Sequence, residues 1–324
     1  MRTVKQIFGI ALLAATTLTS CSKDKIEPDV IIPLVYPSTQ DFNNIKNQAL
    51  ADLVQNATFN AEDGLSFTSI KGTQVFITAG CLMQGGSPAT GAAELTFVEV
   101  FDKASMLTAN KATMGVLPGG DRGMIISGGE FYINVKQNGN QLDLTCPMSV
   151  IIDASLTGGA DPAMTLWDGD VDENGNIVWR EQDGTGAGGV QGDGSEYYAN
   201  FPNFGWTNVD RFYSDPRPKT TLGVKVPVGY DDANSAVFLS YDGEDNAIAA
   251  LDTFDHATSI FSEHYGQIPV GLEMHVIFAT ENEGDWSWAI MGVTVAADDL
   301  YDFTGVALTT GSQSQLEAAI LALP

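Results

Sequence analysis

Gly129-Glu130-Phe131-Tyr132-Ile133-Asn134-Val135-Lys136-Gln137-Asn138-Gly139-Asn140-Gln141-Leu142-Asp143-Leu144-Thr145-Cys146 is the stretch that decides the fold class. Phe131, Ile133 and Val135 alternate with polar or half-polar neighbours, Asn138-Gly139 supplies a turn, and Leu142, Leu144 and Cys146 alternate on the return. Asn-Gly suits a two-residue hairpin turn because its central residues take positive φ, and such a turn fixes the register of the flanking strands. The expected pairs are Val135 with Leu142, Ile133 with Leu144 and Phe131 with Cys146. All six then share one face, which directs Cys146 toward a core.

Upstream, Val75 and Ile77, then Leu95, Phe97, Val98 and Val100, read as further strands joined by Gly-rich loops, so that residues 60–155 form a first β-sandwich. Before it, Phe42, Ile45, Ala49, Leu50, Leu53 and Val54 recur at helical spacing from Thr39, with Ser38 or Thr39 as N-cap; residues 39–59 are therefore assigned to an amphipathic helix and its exit. Residues 156–205 are rich in Gly and Asp and read as a linker around one hairpin. Alternation returns in Leu222-Val224-Val226, Val237-Leu239-Tyr241, Leu272-Met274-Val276-Phe278 and Trp286-Trp288-Ile290, giving a second β domain over 206–324 closed by a short helix in Gln313–Leu323. The expected fold is mainly β: two β-sandwich-like domains with an N-terminal amphipathic helix and a short C-terminal helix.

The chain has 324 residues, 41 of them acidic against 15 basic, for a formal charge of −26, which argues against a nucleic-acid partner because phosphate binding needs clustered Lys and Arg. Its first residues carry an address. Arg2 and Lys5 precede the apolar run Ile7–Leu18, too short to span a bilayer comfortably, so residues 1–20 read as a signal peptide. The run ends in Leu18-Thr19-Ser20-Cys21, which resembles the lipobox of bacterial lipoproteins; the resemblance implies cleavage before Cys21 and lipidation of its thiol. Cleavage there leaves 13 basic residues against 41 acidic and a charge of −28, so membrane attachment would rest on acyl chains alone. Residues 21–38, with Pro28, Pro33 and Pro37, read as a tether.

Two further resemblances concern the folded part. The order of strands, Gly80-Cys81-Leu82, the glycine loop to Gly91, Met106 and Ser127-Gly128-Gly129-Glu130-Phe131 resembles the small β-sandwich domain of netrin receptors and zonula occludens proteins, and implies an interaction module rather than an enzyme. Gly205-Trp206-Thr207-Asn208-Val209-Asp210-Arg211-Phe212-Tyr213 resembles a Gly-Trp-x-Asn-x-Asp-Arg-Phe-Tyr signature of uncharacterised Bacteroidota lipoproteins, and the resemblance implies a lipid-anchored cell-envelope location, with the outer membrane expected, and no activity.

Residues 170–181 fit the twelve-residue calcium loop: Asp170, Asp172 and Asn174 at ligand positions 1, 3 and 5, Gly175 at the sharp turn, Asn176 through its carbonyl and Glu181 as the bidentate ligand. The flanks are not helical, and the same residues also read as a hairpin with Asn174-Gly175 at the tip, Val171 facing Val178, and Asp170 and Asp172 about 7 Å apart along one edge. With Cys21 taken by lipid, Cys81 and Cys146 remain as an even pair in an oxidising compartment, either a disulfide or two buried thiols. His256, His264 and His275 show no zinc spacing, and no nucleophile elbow or phosphate loop is present. Two functions follow: a non-enzymatic lipoprotein binding a protein or polysaccharide at the envelope, or a carboxylate-dependent carbohydrate-active hydrolase whose Trp167, Trp179, Tyr197 and Tyr198 stack on sugar.

Overall fold

In the computed structural model, which describes residues 36–184, 188–263 and 265–324, the hairpin of residues 129–146 forms only at its tip. Lys136 faces Gln141 and Gln137 faces Asn140, and the Leu142 amide donates to the Val135 carbonyl at 2.9 Å, as the Asn138-Gly139 turn dictates. Beyond that rung the chain leaves, and Asp143–Leu144 pairs instead with Leu82–Gln84. The expected pairs of Ile133 with Leu144 and Phe131 with Cys146 do not form. Both edges of Arg122–Gln137 are taken by distant strands: Ile133 lies opposite Phe97 on one side and Gly205 on the other. A long central strand satisfies its backbone on both edges, and the hairpin partner gives way where a second ladder competes.

Mainly β holds, with 48% of residues in strands and 13% in helices. The first sheet runs Gln55–Asn60, Ala92–Val100, Arg122–Gln137, Gly205–Phe212, Thr165–Val171, Ile177–Glu181, Met114–Val116. Facing part of it is a five-stranded sheet in the order Gly189–Asp193, Glu196–Phe201, Met148–Asp153, Gln74–Ile77, Leu65–Thr68. Between them pack Val75, Phe97, Phe131, Val150, Tyr197 and Phe201, with Phe131 ring centroids 6.1 Å from Phe97 and 6.4 Å from Phe201. Cys81 and Cys146 form a disulfide with Cα atoms 5.5 Å apart. It fastens the small sheet of Leu82–Gln84, Ser87–Pro88 and Asp143–Leu144 to this core.

The far end of the first sheet closes on itself. Met114–Val116 pairs with the start of Arg122–Gln137, and Gly115 also pairs in parallel with Trp179, so five strands form a ring. Ile125, Trp167, Ile177 and Trp179 fill it, as the interior of a small barrel must be filled. Two glycines make room: a Cβ on Gly115 would stand 2.7 Å from Ile125 Cγ2, and one on Gly169 would stand 2.6 Å from Ile177 Cδ1 and 2.8 Å from Trp179. The reading of 156–205 as a linker is therefore corrected, since this region supplies strands to both sheets and three side chains, Trp167, Trp179 and Tyr197, with no exposure. Some of its glycines serve close packing where looseness was inferred. Likewise Gly205–Phe212 is an inner strand of the first sheet, between Arg122–Gln137 and Thr165–Val171, and does not open a second domain.

The second pair of sheets holds Thr253–Asp255, Ile260–Ser262, Leu222–Lys225, Asp299–Asp302 in one layer and Ala249–Ala250, Ser235–Tyr241, Glu273–Asn282, Asp285–Thr294, Thr309–Gly311 in the other. Val224, Leu239, Val276, Phe278 and Phe303 are buried among them. Three helices join the two halves: α1 (Thr39–Asp52), α2 (Lys103–Thr108) and α3 (Gln313–Leu321). Ser38 and Asp41 close a capping box at the start of α1, whose buried stripe is Phe42, Ile45 and Ala49. The chain exits α1 directly into Gln55–Asn60, so the helix ends sooner than its apolar periodicity implies. One cluster unites Phe42 and Ile45 of α1, Met106 and Leu107 of α2, Leu316 and Ile320 of α3, Val98 and Val100 of the first half, and Phe238, Ile277, Trp286 and Trp288 of the second. Tyr36–Pro324 is accordingly one compact unit.

Candidate functional site

A cleft of about 630 Å³ opens where α1, the barrel hairpin and the second half meet. Thr39, Phe42, Asn43 and Lys46 lie at i, i+3, i+4 and i+7, which puts them on one face of α1, and that face forms one wall. Asp170–Arg180 supplies the second wall; Asp232, Ser235, Ala236 and Phe238, with Ala250–Thr253, supply the third.

Charge in the cleft is mixed and mostly tied. Arg180 Nε donates to Asp170 Oδ2 at 2.7 Å, and Arg122 Nη1 lies 3.4 Å from Asp252 Oδ2, which also accepts from the Tyr265 hydroxyl at 2.7 Å. Lys46 Nζ sits 4.5 Å from the Phe42 ring centroid. Burial lowers its pKa to about 8, against the pull of Asp172. Beneath the hairpin turn, Lys111 Nζ donates to the Gly175 carbonyl at 2.9 Å and lies 5.2 Å from the Trp206 ring. Its pKa also falls to about 8, chiefly through burial, with Glu130 and Asp172 opposing and Lys46 contributing. Since the unfolded chain holds these two protons up to the ordinary lysine range, the pair makes folding more favourable as pH rises from about 8 toward 10.5.

The five residues of the calcium pattern are not brought together. They form a hairpin in which Val171 faces Ile177 and Asp170 faces Val178, one residue away from the pairing expected for Val171. Asp172 spends its carboxylate on its own turn, accepting from the Asn174 and Asn176 amides at 2.9 Å each and from Asn176 Nδ2 at 2.9 Å. Asp170 is engaged by Arg180. Glu181 lies opposite Trp167, four residues from the turn-proximal rung and so about 13 Å along the ladder. The sugar-stacking platform is corrected as well. Trp167, Trp179 and Tyr197 are fully buried, and Tyr198, exposed on the facing sheet, donates its hydroxyl to Glu196.

His275 Nδ1 lies 2.9 Å from Asp242 Oδ1, while the Ser240 hydroxyl across the ladder from it makes no hydrogen bond. His256 Nε2 lies 3.6 Å from Asp232, and with Asp231 these groups fall within 4.8 Å of one another at the surface. Cys21 and His264 lie outside the described residues. Lys46, Asn43 and Lys111 escaped the sequence reading. The signal for the first two was present: the i, i+3, i+4, i+7 face of α1 mixes Phe42 with Asn43 and Lys46, where a purely core-facing stripe would be apolar. No family model matches the chain, and neither a curated protein nor a solved structure is similar to it.

Proposed function

We propose that the protein is a lipoprotein of the bacterial cell envelope, held by acyl chains on Cys21, that binds a stretch of polysaccharide in the cleft between α1 and the barrel hairpin without transforming it. The cleft carries this reading. Its volume of about 630 Å³ lies in the range of small-ligand sites, and its walls mix neutral amides and hydroxyls (Thr39, Asn43, Asn110, Asn174, Asn176, Ser235, Thr253) with fixed ion pairs, a donor and acceptor set suited to hydroxyl-rich ligands. Binding, in preference to hydrolysis, is supported by the engagement of its carboxylates: Asp170 and Asp252 face guanidinium groups, Asp172 braces its own turn and Asp232 lies 3.6 Å from His256 Nε2. Attachment to an envelope membrane is supported by the lipobox resemblance, the outer membrane being the location proposed, and the fifteen residues 21–35 span at most about 50 Å.

Asn43→Trp is the sharper test. Asn43 is half-exposed on α1, so the fold tolerates a larger side chain while the indole occupies the cleft. Screening purified protein against immobilised envelope and plant polysaccharides should give at least one retained polymer, with retention weakened at least about tenfold, or 1.4 kcal/mol, by Asn43→Trp. Retention of no polysaccharide, or retention that Asn43→Trp leaves unchanged, rejects the cleft as the binding site. The anchor is tested separately by Cys21→Ser: the variant should take up no palmitate analogue and should leave the membrane fraction, while the fold of Tyr36–Pro324 is unchanged. A Cys21→Ser chain that is still processed at the same bond and still sediments with membranes would refute the anchor.

A further inference from the structure

On the face of the first sheet turned toward the helices, two carboxylates are enclosed with no ion-pair partner among the described residues. Glu130 and Asp210 each have no solvent exposure. Both Glu130 carboxylate oxygens and Asp210 Oδ1 lack any hydrogen-bond partner. They belong together: Glu130 lies directly opposite Asn208 in the ladder, and Asn208 Nδ2 donates to Asp210 Oδ2 across a local shift in register. Asn208 Oδ1 in turn accepts from Ser127 Oγ at 2.9 Å and retains a free lone pair. Among the described residues no basic side chain forms an ion pair with either carboxylate. Lys111, whose charge opposes the rise at Glu130, donates its hydrogen bonds to the Gly175 and Asn110 carbonyls.

We propose that Glu130 and Asp210 bind a hard divalent cation of the calcium type, with Glu130 Oε1 and Oε2, Asp210 Oδ1 and Asn208 Oδ1 as its oxygen ligands. Ionised carboxylates in a dry interior are strongly unfavourable unless they are paired or coordinate a cation. A proton shared between Glu130 and Asp210 Oδ1 would remove one charge and occupy one oxygen of each, but it leaves the second Glu130 oxygen orphaned and one negative charge buried. One cation satisfies the three orphaned oxygens at once and neutralises two charges, and an all-oxygen donor set selects calcium or magnesium over softer metals. The electrostatics agree. Burial, then the neighbouring Asp210, pushes the Glu130 carboxyl well above the usual range, with Asp102 adding and Lys111 opposing; burial does the same to Asp210, with Ser127 opposing. The site is independent of the ligand proposed for the cleft, and it is not the surface loop 170–181, whose carboxylates are committed to their own hairpin.

The test uses the full chain, stripped with chelator and returned to buffer at neutral pH. Native mass spectrometry and thermal unfolding are followed as CaCl₂ or MgCl₂ is added, with NaCl at matched ionic strength as control. One bound calcium per chain and a rise in melting temperature are expected. Glu130→Gln and Asp210→Asn should each weaken calcium binding roughly 100-fold, while melting no lower than wild type in chelator, because the amide removes the buried charge. Asp172→Asn and Asp232→Asn should keep the full calcium response. The proposal is overturned if neither divalent ion binds the wild type, if only NaCl shifts its melting, or if the response survives in Glu130→Gln and Asp210→Asn. Loss of the response in Asp172→Asn or Asp232→Asn in place of these two variants would overturn it equally. Should one of the two amide variants fail to fold, the other and the wild-type stoichiometry still decide.

Discussion

Replacing Cys81 and Cys146 together by Ala is expected to lower the free energy of unfolding by about 4 kcal/mol. The bond closes a loop spanning a sequence separation of 65 residues, and in the chain-entropy model cross-links of that length remove a large part of the unfolded chain's freedom. The Cα separation of 5.5 Å falls in the middle of the range that disulfides adopt. Local packing adds to the effect. Cys81 is nearly buried, and its carbonyl accepts from the Thr145 amide at 2.9 Å and the Thr145 hydroxyl at 3.1 Å, so the backbone around both sulfurs is already drawn together. Urea unfolding of the oxidised wild type, the dithiothreitol-reduced wild type and the double variant should give one shifted midpoint shared by the last two. A loss below about 1 kcal/mol in both would show that the loop is restrained by other contacts.

Trp179→Ala is expected to destabilise the protein by about 3–5 kcal/mol, and to loosen the barrel locally. Trp179 is fully buried and lies across the ladder from two glycines, Gly169 on one side and Gly115 on the other, so no neighbouring Cβ fills the space its indole vacates. The indole N–H donates to the Ala112 carbonyl at 3.2 Å; that carbonyl keeps the Met114 amide at 3.0 Å, so the expected loss is one of cavity and dispersion more than of an orphaned polar group. Trp179→Phe should recover part of the stability, since a smaller ring still occupies the interior. Val171, Val178 and Arg180 of the same hairpin line the cleft, so hydrogen exchange in residues 165–181 should quicken in Trp179→Ala before global unfolding. Unchanged protection there, or a loss of stability below about 1.5 kcal/mol, would contradict a filled barrel interior.

Several features of this chain are local, and its sequence by itself determined them. Alternation around Phe131, Ile133 and Val135 specified a strand with one apolar face, and Asn138-Gly139 specified the turn and its first rungs, because side-chain period and turn chemistry act over a few residues. Ser38 and the Phe42, Ile45, Ala49 stripe specified α1 in the same way. Only the tertiary structure decided which strand lies beside which. Backbone amides and carbonyls are alike from residue to residue, so the edge of Arg122–Gln137 carries no label for Ala92–Val100 or Gly205–Phe212; the choice falls to whichever arrangement buries the most apolar surface at once. The glycines of 156–205 show the same division. In sequence Gly169 signals looseness, and in the fold it is the point where two tryptophans and Ile177 pack against bare backbone. Glu130, Asp210, Lys46 and Lys111 are unremarkable among 41 acidic and 15 basic residues, and acquire their chemistry from burial and mutual proximity, which arise when segments distant in the chain are brought into contact.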